Sequence, residues 1–304
     1  MLAFCGPRSY QRGMKLSREA LGYMLGLIGV IIFAGTLPAT RIAVQTLDPW
    51  FVTFGRAAVA GVCAVVVLAV LRRPWPTPRQ RWLIVLSASM VTLGFPGLMG
   101  VAMQTVPAAH GGVVLGVLPL MTAAFGALWQ GSRPPRAFWL LSLVAAIVVI
   151  GFSLRGGGGH LERGDMFLFL ASLCASIGYI FSADLSRDMP GWEVISWICV
   201  FALPFTLPMM LWWWPSDVAL VSAEGWISFA YVALFSQFIG FFAWNAGLAW
   251  GGIAGISQMQ YLQTFFTIAF AALINREAVG WDTVIVASIV VGLLVLGRKA
   301  LVRR

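Results

Sequence analysis

Amides, hydroxyls and the rare charges are the groups in this sequence that can do chemistry, because they stand in an otherwise apolar chain. Between Ser257 and Thr267, seven polar side chains (Ser257, Gln258, Gln260, Tyr261, Gln263, Thr264 and Thr267) fall within eleven residues. At the helical period, Ser257, Gln260, Tyr261, Thr264 and Thr267 share a stripe about 120° wide. Such a stripe is costly against lipid, so it is expected to face a wet cavity or to bond neighbouring helices. Upstream, Gln237, Trp244 and Asn245 sit among phenylalanines, with Gln237 and Trp244 two turns apart on one face. Amides both donate and accept, and can hold a zwitterion without a fixed charge. Trp244 can stack on a cation or an aromatic ring; the competing reading is an interfacial anchor.

His110, just after Val106-Pro107, is a candidate proton-coupling group, with a capping or packing histidine as the alternative. Thr36 and Pro38 in the first apolar run, and Ser176 and Tyr179 in the sixth, are placed where related helices would approach a cavity. A proline inside a span frees a carbonyl and allows a hinge. Arg41 and Arg56 are the most expensive residues, at roughly 2.5–3.5 kcal/mol each at a helix centre. Arg41 is near enough to a helix end to snorkel, whereas Arg56 lies roughly 10 Å into its span and needs acceptors. No Asp or Glu lies mid-span; Asp184 and Glu277 fall near helix ends. A carrier built on a buried carboxylate is therefore disfavoured, which leaves uncoupled movement or coupling through another group. His110 and the distant His160 make no catalytic dyad, and there is no HExxH box. Cys5, Cys63, Cys174 and Cys199 form no CxxC pair, so neither a metal nor a cofactor is expected.

The elements that position these residues follow from composition. With 60% hydrophobic and 10% charged residues over 304, the chain is outside the range of soluble domains. A span needs roughly 20 apolar residues, and charge, proline and glycine mark ten of them: 20–43, 49–71, 82–104, 108–130, 137–154, 164–185, 193–213, 225–249, 253–275 and 280–298. Continuous apolar runs exclude the alternation of a barrel. The first run, from Ala20 to about Val44, is too long for a signal core and is read as retained. Fifteen of the twenty Lys and Arg residues fall on one side of this arrangement, which puts both termini in the cytoplasm. The net charge of +9 thus belongs to loops and tails and does not imply nucleic acid.

Residues Ala102 to Ser132 resemble Ala246 to Glu277: a turn of small residues, a long apolar helix, then a polar break. Each is followed by a last span of nearly pure Val, Ile, Leu and Ala. Five spans per half is an odd number, so the halves are expected to be inverted, a pattern that places a site near the midplane between them.

Phe33 to Gly61 (FAGTLPATRIAVQTLDPWFVTFGRAAVAG), Leu115 to Gly131 with Pro119, and Tyr261 to Glu277 resemble the EamA-type branch of the drug/metabolite transporter superfamily over nearly the whole chain. Gly131-Ser132 stands where a Gly-Glu pair is usual, and Gln263 where a proline often sits. The resemblance implies a ten-helix carrier for amino acids, sugars or other small metabolites; some relatives export aromatic amino acids. Because the family carries an arginine at the position of Arg56 whatever the substrate, it implies a structural or gating role there.

The expected architecture is an all-α polytopic membrane protein with a 5+5 inverted-topology repeat. Residues 1–19 form a cytoplasmic tail, 20–154 the first repeat, 155–163 an outer linker, 164–298 the second repeat and 299–304 a cytoplasmic tail. The expected function is secondary transport of small polar metabolites across the inner membrane by alternating access, with amino acids or related compounds exported. The substrate, the lipid bilayer and at most a second copy of the chain, as monomer or homodimer, are its partners. The alternatives are a membrane-embedded enzyme and a non-transporting assembly subunit, for which Gly22, Gly26 and Gly29 would serve as packing surfaces.

Overall fold

The computed structural model describes residues 8–129, 135–156, 162–251 and 259–302, and every element among them is helical. Eight helices are long and apolar enough to cross a membrane: α1 (Arg18–Ala43), α2 (Pro49–Val70), α3 (Pro78–Ala102), α4 (Ala108–Gly126), α5 (Arg136–Arg155), α6 (Arg163–Leu185), α7 (Gly191–Trp212) and α8 (Ala223–Leu248). Two shorter apolar helices, α9 (Leu262–Ile274) and α10 (Trp281–Gly297), complete the order. Ser257 and Gln258 of the polar segment lie outside the described residues, as do Gly131, Ser132, Arg133 and His160.

Local chemistry starts these helices. Asp48 accepts from the Trp50 amide at 2.7 Å ahead of Pro49 at the first turn of α2. Thr77 and Gln80 form a capping box before α3. Ser222 accepts from the Gly225 amide at 3.0 Å before α8. The molecule is apolar outside as well as inside: Val62, Val65, Val66 and Val70 on α2, and Leu140, Leu143, Val144 and Ile147 on α5, are exposed. Water would not tolerate such a belt and lipid requires it. Exposed tryptophans ring both ends, with Trp50, Trp212 and Trp281 at one and Trp75, Trp82, Trp129 and Trp250 at the other, as membrane interfaces favour.

The packing maps onto itself when the halves are exchanged. Helix α1 packs on α8 and α6 on α3; α2 pairs with α7, α4 with α9 and α5 with α10. Helices α1 and α8 approach closely: a Cβ on Gly247 would lie 2.6 Å from the Gly26 nitrogen and one on Gly22 would lie 2.2 Å from the Gly251 nitrogen. The glycine stripe read above as a surface for a partner is thus buried against the chain's own eighth helix.

Three helices are irregular where they meet. The first breaks at Gly35 between Arg8–Ala34 and Thr36–Ala43. Pro38 has no N–H to give the Ala34 carbonyl, and Thr267 Oγ1 of α9 donates to that carbonyl at 3.0 Å instead. The Tyr231 hydroxyl donates to the Ile32 carbonyl at 2.7 Å, an approach that a Cβ on Gly35 would block at 2.4 Å. Helices α3 and α8, the third of each half, each contain a π-helical segment, Ala88–Gly94 and Tyr231–Ile239. Such segments recur at functional sites.

Candidate functional site

These irregular segments surround a cavity of ≈ 710 Å³ lined from both halves. Its buried end is formed by Thr36 and Leu37 after the break in α1, Met99 of α3 and Gly112 of α4. Its only exposed lining residues among those described are Ala183, Ser186 and Arg187, at the end of α6. The cavity therefore reaches the surface at the Arg187 end of the bundle and is closed toward the other.

Most residues singled out from the sequence meet here. Gln260, Tyr261, Gln263 and Thr264 enter from α9 and the turn before it; Gln237, Trp244 and Asn245 enter from α8; Tyr179 comes from α6 and Thr36 from α1. Arg56 of α2 also lines the cavity. Ser176 does not. It is buried between α4 and α6, where Thr122 Oγ1 donates to its hydroxyl at 3.3 Å and the hydroxyl lies 3.4 Å from the Leu118 carbonyl oxygen. It lies three positions from Tyr179, close to the same face, but its hydroxyl is taken up by α4. Pro38 is buried in the segment after the break and shapes the helix without lining the cavity.

Ser236 carries a role that its type alone did not suggest. Arg56 Nη2 donates to Ser236 Oγ at 2.9 Å, and Thr36 Oγ1 lies 2.8 Å from the same oxygen. One polar chain thus joins α1 and α2 of the first half to α8 of the second. Ser236 and Gln237 are neighbours that would point about 100° apart on a regular α-helix. Both lie in the π segment and both line the cavity. Arg56 Nε and Nη1 and Gln237 Nε2 are buried and have no partner among the described residues.

The closed end is held by charge. Glu277, in the loop between α9 and α10, accepts from the Ala108 and Ala109 amides at 2.8 and 2.9 Å and so caps α4. Arg41 Nε lies 3.3 Å from the same carboxylate, and Arg41 Nη1 donates to the Met103 and Val106 carbonyls. His110 lies nearby but away from the large cavity, with Nε2 2.8 Å from Asp165 Oδ1 of α6 and its ring stacked on Phe152. Arg41, Glu277 and His110 line a second cavity of ≈ 370 Å³. At the other end Arg73 pairs with Glu193 and stacks on Trp192, while Arg79 and Arg187 reach Asp184. The hydrogen bond to Glu193 pushes the Arg73 guanidinium above its ordinary pKa.

Asp165 and Glu193 carried no sequence signal beyond their rarity, because their partners are 55 and 120 residues away. No group of three or more His, Cys, Asp or Glu side chains that could hold a metal occurs among the described residues.

Known proteins are similar to this chain. Residues 20–154 and 162–297 each match the EamA-like transporter family. The uncharacterized transporter YdeK of Bacillus subtilis (strain 168) is 41% identical over 93% of this chain and 99% of its own length. The aromatic amino acid exporter YddG of Ancylobacter novellus is 23% identical over 88% of this chain and 94% of its own. One solved crystal structure shares the fold with a TM-score of 0.63 at 18% identity, over 91% of this chain and 98% of that one.

Proposed function

The chain belongs to the EamA-like transporter family, and from that premise we propose that it is a ten-helix secondary carrier exporting amino acids or related small metabolites by alternating access. The observation that carries this reading is the cavity between the halves, whose ≈ 710 Å³ is within the range of small-molecule sites. Phenylalanine and tryptophan side chains stand beside amides and hydroxyls in its lining, a mixture suited to a solute with one apolar and one polar end. The relation to an aromatic amino acid exporter supports the same choice.

In this reading α9 and α10 cross the membrane with the eight longer helices. Residues 20–154 and 164–298 act as inverted five-helix repeats joined by an outer linker, 155–163, and the tails 1–19 and 299–304 are cytoplasmic. The Lys and Arg asymmetry supports that orientation in an inner membrane. The Arg187 end then faces the cytoplasm, and the structure represents a carrier open for loading and latched outside by Arg41 and Glu277. Export needs that state to bind solute first and to part the latch afterwards.

Counterflow in proteoliposomes, with a panel of labelled amino acids, sugars and nucleosides, tests the carrier. Exchange of at least one amino acid is expected, and vesicles that move none of the panel refute the reading. Reporter fusions that place the two termini on opposite sides would remove the ten-helix topology.

A further inference from the structure

We propose that the transported solute carries a carboxylate and that Arg56 is the group that binds it. This rests on the carrier reading and narrows it to a substrate class. Arg56 is 3% exposed and lines the deep part of the cavity. A guanidinium carries five N–H donors in a rigid fork and no acceptor. The protein uses Nη2 on Ser236 and leaves Nε and Nη1 with no partner among the described residues. Gln237, beside Ser236 in the same π segment, leaves its Nε2 donor without a partner as well. Unpartnered buried donors are costly, and here they cluster at one wall of a cavity large enough for a ligand. The missing component is an acceptor.

The charge balance says which acceptor. No Asp or Glu occurs among the described residues lining the cavity, so no carboxylate of the protein answers Arg56 there. A carboxylate supplies two coplanar oxygens that fit the guanidinium fork, and its single negative charge matches the single buried cation. A doubly charged phosphate would bring the excess charge into a lining rich in Phe, Ile and Leu. The same cavity is also lined by Trp244, Asn245 and Gln260. These can take an α-ammonium or an aromatic ring through the indole face and amide oxygens, but they offer no fixed negative charge. Neutral amino acids and monocarboxylates therefore fit, whereas amines and solutes with net positive charge are repelled. Arg56 is thus a solute-binding residue in this reading, and not only a support for the helix packing.

The test compares each acid with its own carboxamide, for example tryptophan with tryptophanamide and leucine with leucinamide. Binding is measured in detergent by ligand-induced thermal stabilisation and transport by counterflow. The wild-type protein is expected to prefer the acid by roughly 10- to 100-fold, the range of a charged hydrogen bond. Arg56→Gln should bring that ratio close to one. Arg56→Lys, which keeps the charge and loses the fork, should fall between the two. The two readouts separate the failures. Transport of acids and carboxamides at equal rates overturns this inference and leaves the carrier standing. A protein that moves no solute refutes the carrier, and its binding data still judge Arg56: equal stabilisation by acid and carboxamide across the panel overturns the assignment. If the glutamine variant unfolds, an unchanged acid preference in the folded lysine and alanine variants of Arg56 also overturns it.

Discussion

Removing the Glu277 carboxylate should open the end of the bundle that the structure shows closed. Four donors converge on that side chain: the Ala108 and Ala109 amides, Arg41 Nε and Asn275 Nδ2, at 2.8, 2.9, 3.3 and 3.3 Å. Glu277→Gln keeps one oxygen and turns an NH2 group toward donors. It loses a charge-assisted bond, about 1.5–3 kcal/mol, and the attraction of a negative charge to the start of α4, about 0.3–1 kcal/mol. The side chains of Arg41 and Glu277 are 22% and 12% exposed, so water screens the pair only in part. A total of about 2–4 kcal/mol follows, and it acts on one conformer only, because Glu277 belongs to the second half and Arg41 and Ala108 to the first. At about 1.4 kcal/mol per tenfold, the ratio of open to closed forms at this end should rise roughly 30- to 700-fold. Spin labels at Gln104→Cys and Ala278→Cys, on a background without the native cysteines, read the distance across that end by pulsed electron paramagnetic resonance. The variant should populate longer distances, as should Arg41→Gln, and the double variant should add little to either. If the distance distribution of Glu277→Gln matches the parent, or the two substitutions add independently, the latch reasoning fails.

Two stability experiments probe the contacts between the halves. Gly247→Val should lower the melting temperature in detergent markedly, since its Cβ would lie 2.6 Å from a backbone nitrogen of Gly26 that cannot give way; Gly151→Ala, with nothing within 4 Å, should be neutral or stabilising by up to about 1 kcal/mol. Thr267→Val should cost about 1–3 kcal/mol by orphaning the Ala34 carbonyl, and adding Pro38→Ala, which restores an N–H for it, should recover most of the loss; a double variant no more stable than Thr267→Val would show that the hydroxyl does not replace the missing amide.

The helices were legible because lipid leaves the chain so few choices: an apolar run must satisfy its own backbone, so length and loop charge nearly suffice to find it. Gln237, Gln260 and Thr264 were legible for the related reason that an amide or hydroxyl in such a run must face protein or water. Ser176 satisfies the same rule through helix packing, and sequence does not distinguish a polar group bonded to a neighbouring helix from one facing a cavity. The π segments left no trace in the apolar pattern, and Ser236, which lies in one of them, went unseen. Glu277 was visible as a helix-end acid, but its partners at Arg41 and Ala108 follow only once α1, α4 and the α9–α10 loop are brought together. Arg56 was expected to meet structural acceptors. The structure gives it one hydroxyl and leaves two donors over, which moves the weight toward solute binding.

One short helix joins the two ends of this chemistry. The segment Thr36–Ala43 begins at Gly35, carries Thr36 in the cavity and carries Arg41 in the latch, five residues or about 7.5 Å along the axis. Its start is tied to the second half at three points, through Ser236 to Thr36, Thr267 to the Ala34 carbonyl and Tyr231 to the Ile32 carbonyl. A solute carboxylate drawn to Arg56 would compete for the Ser236 hydroxyl and loosen the first of these ties. The segment is a rigid helical unit of eight residues on a break, so freedom gained at Thr36 is transmitted to Arg41 as rotation. Occupancy and latch are then coupled by geometry, with no titrating acid required between them. The coupling is reciprocal: if solute favours opening of that end, a variant that weakens the latch, such as Glu277→Gln, must raise solute affinity, by at most the factor by which solute shifts the opening.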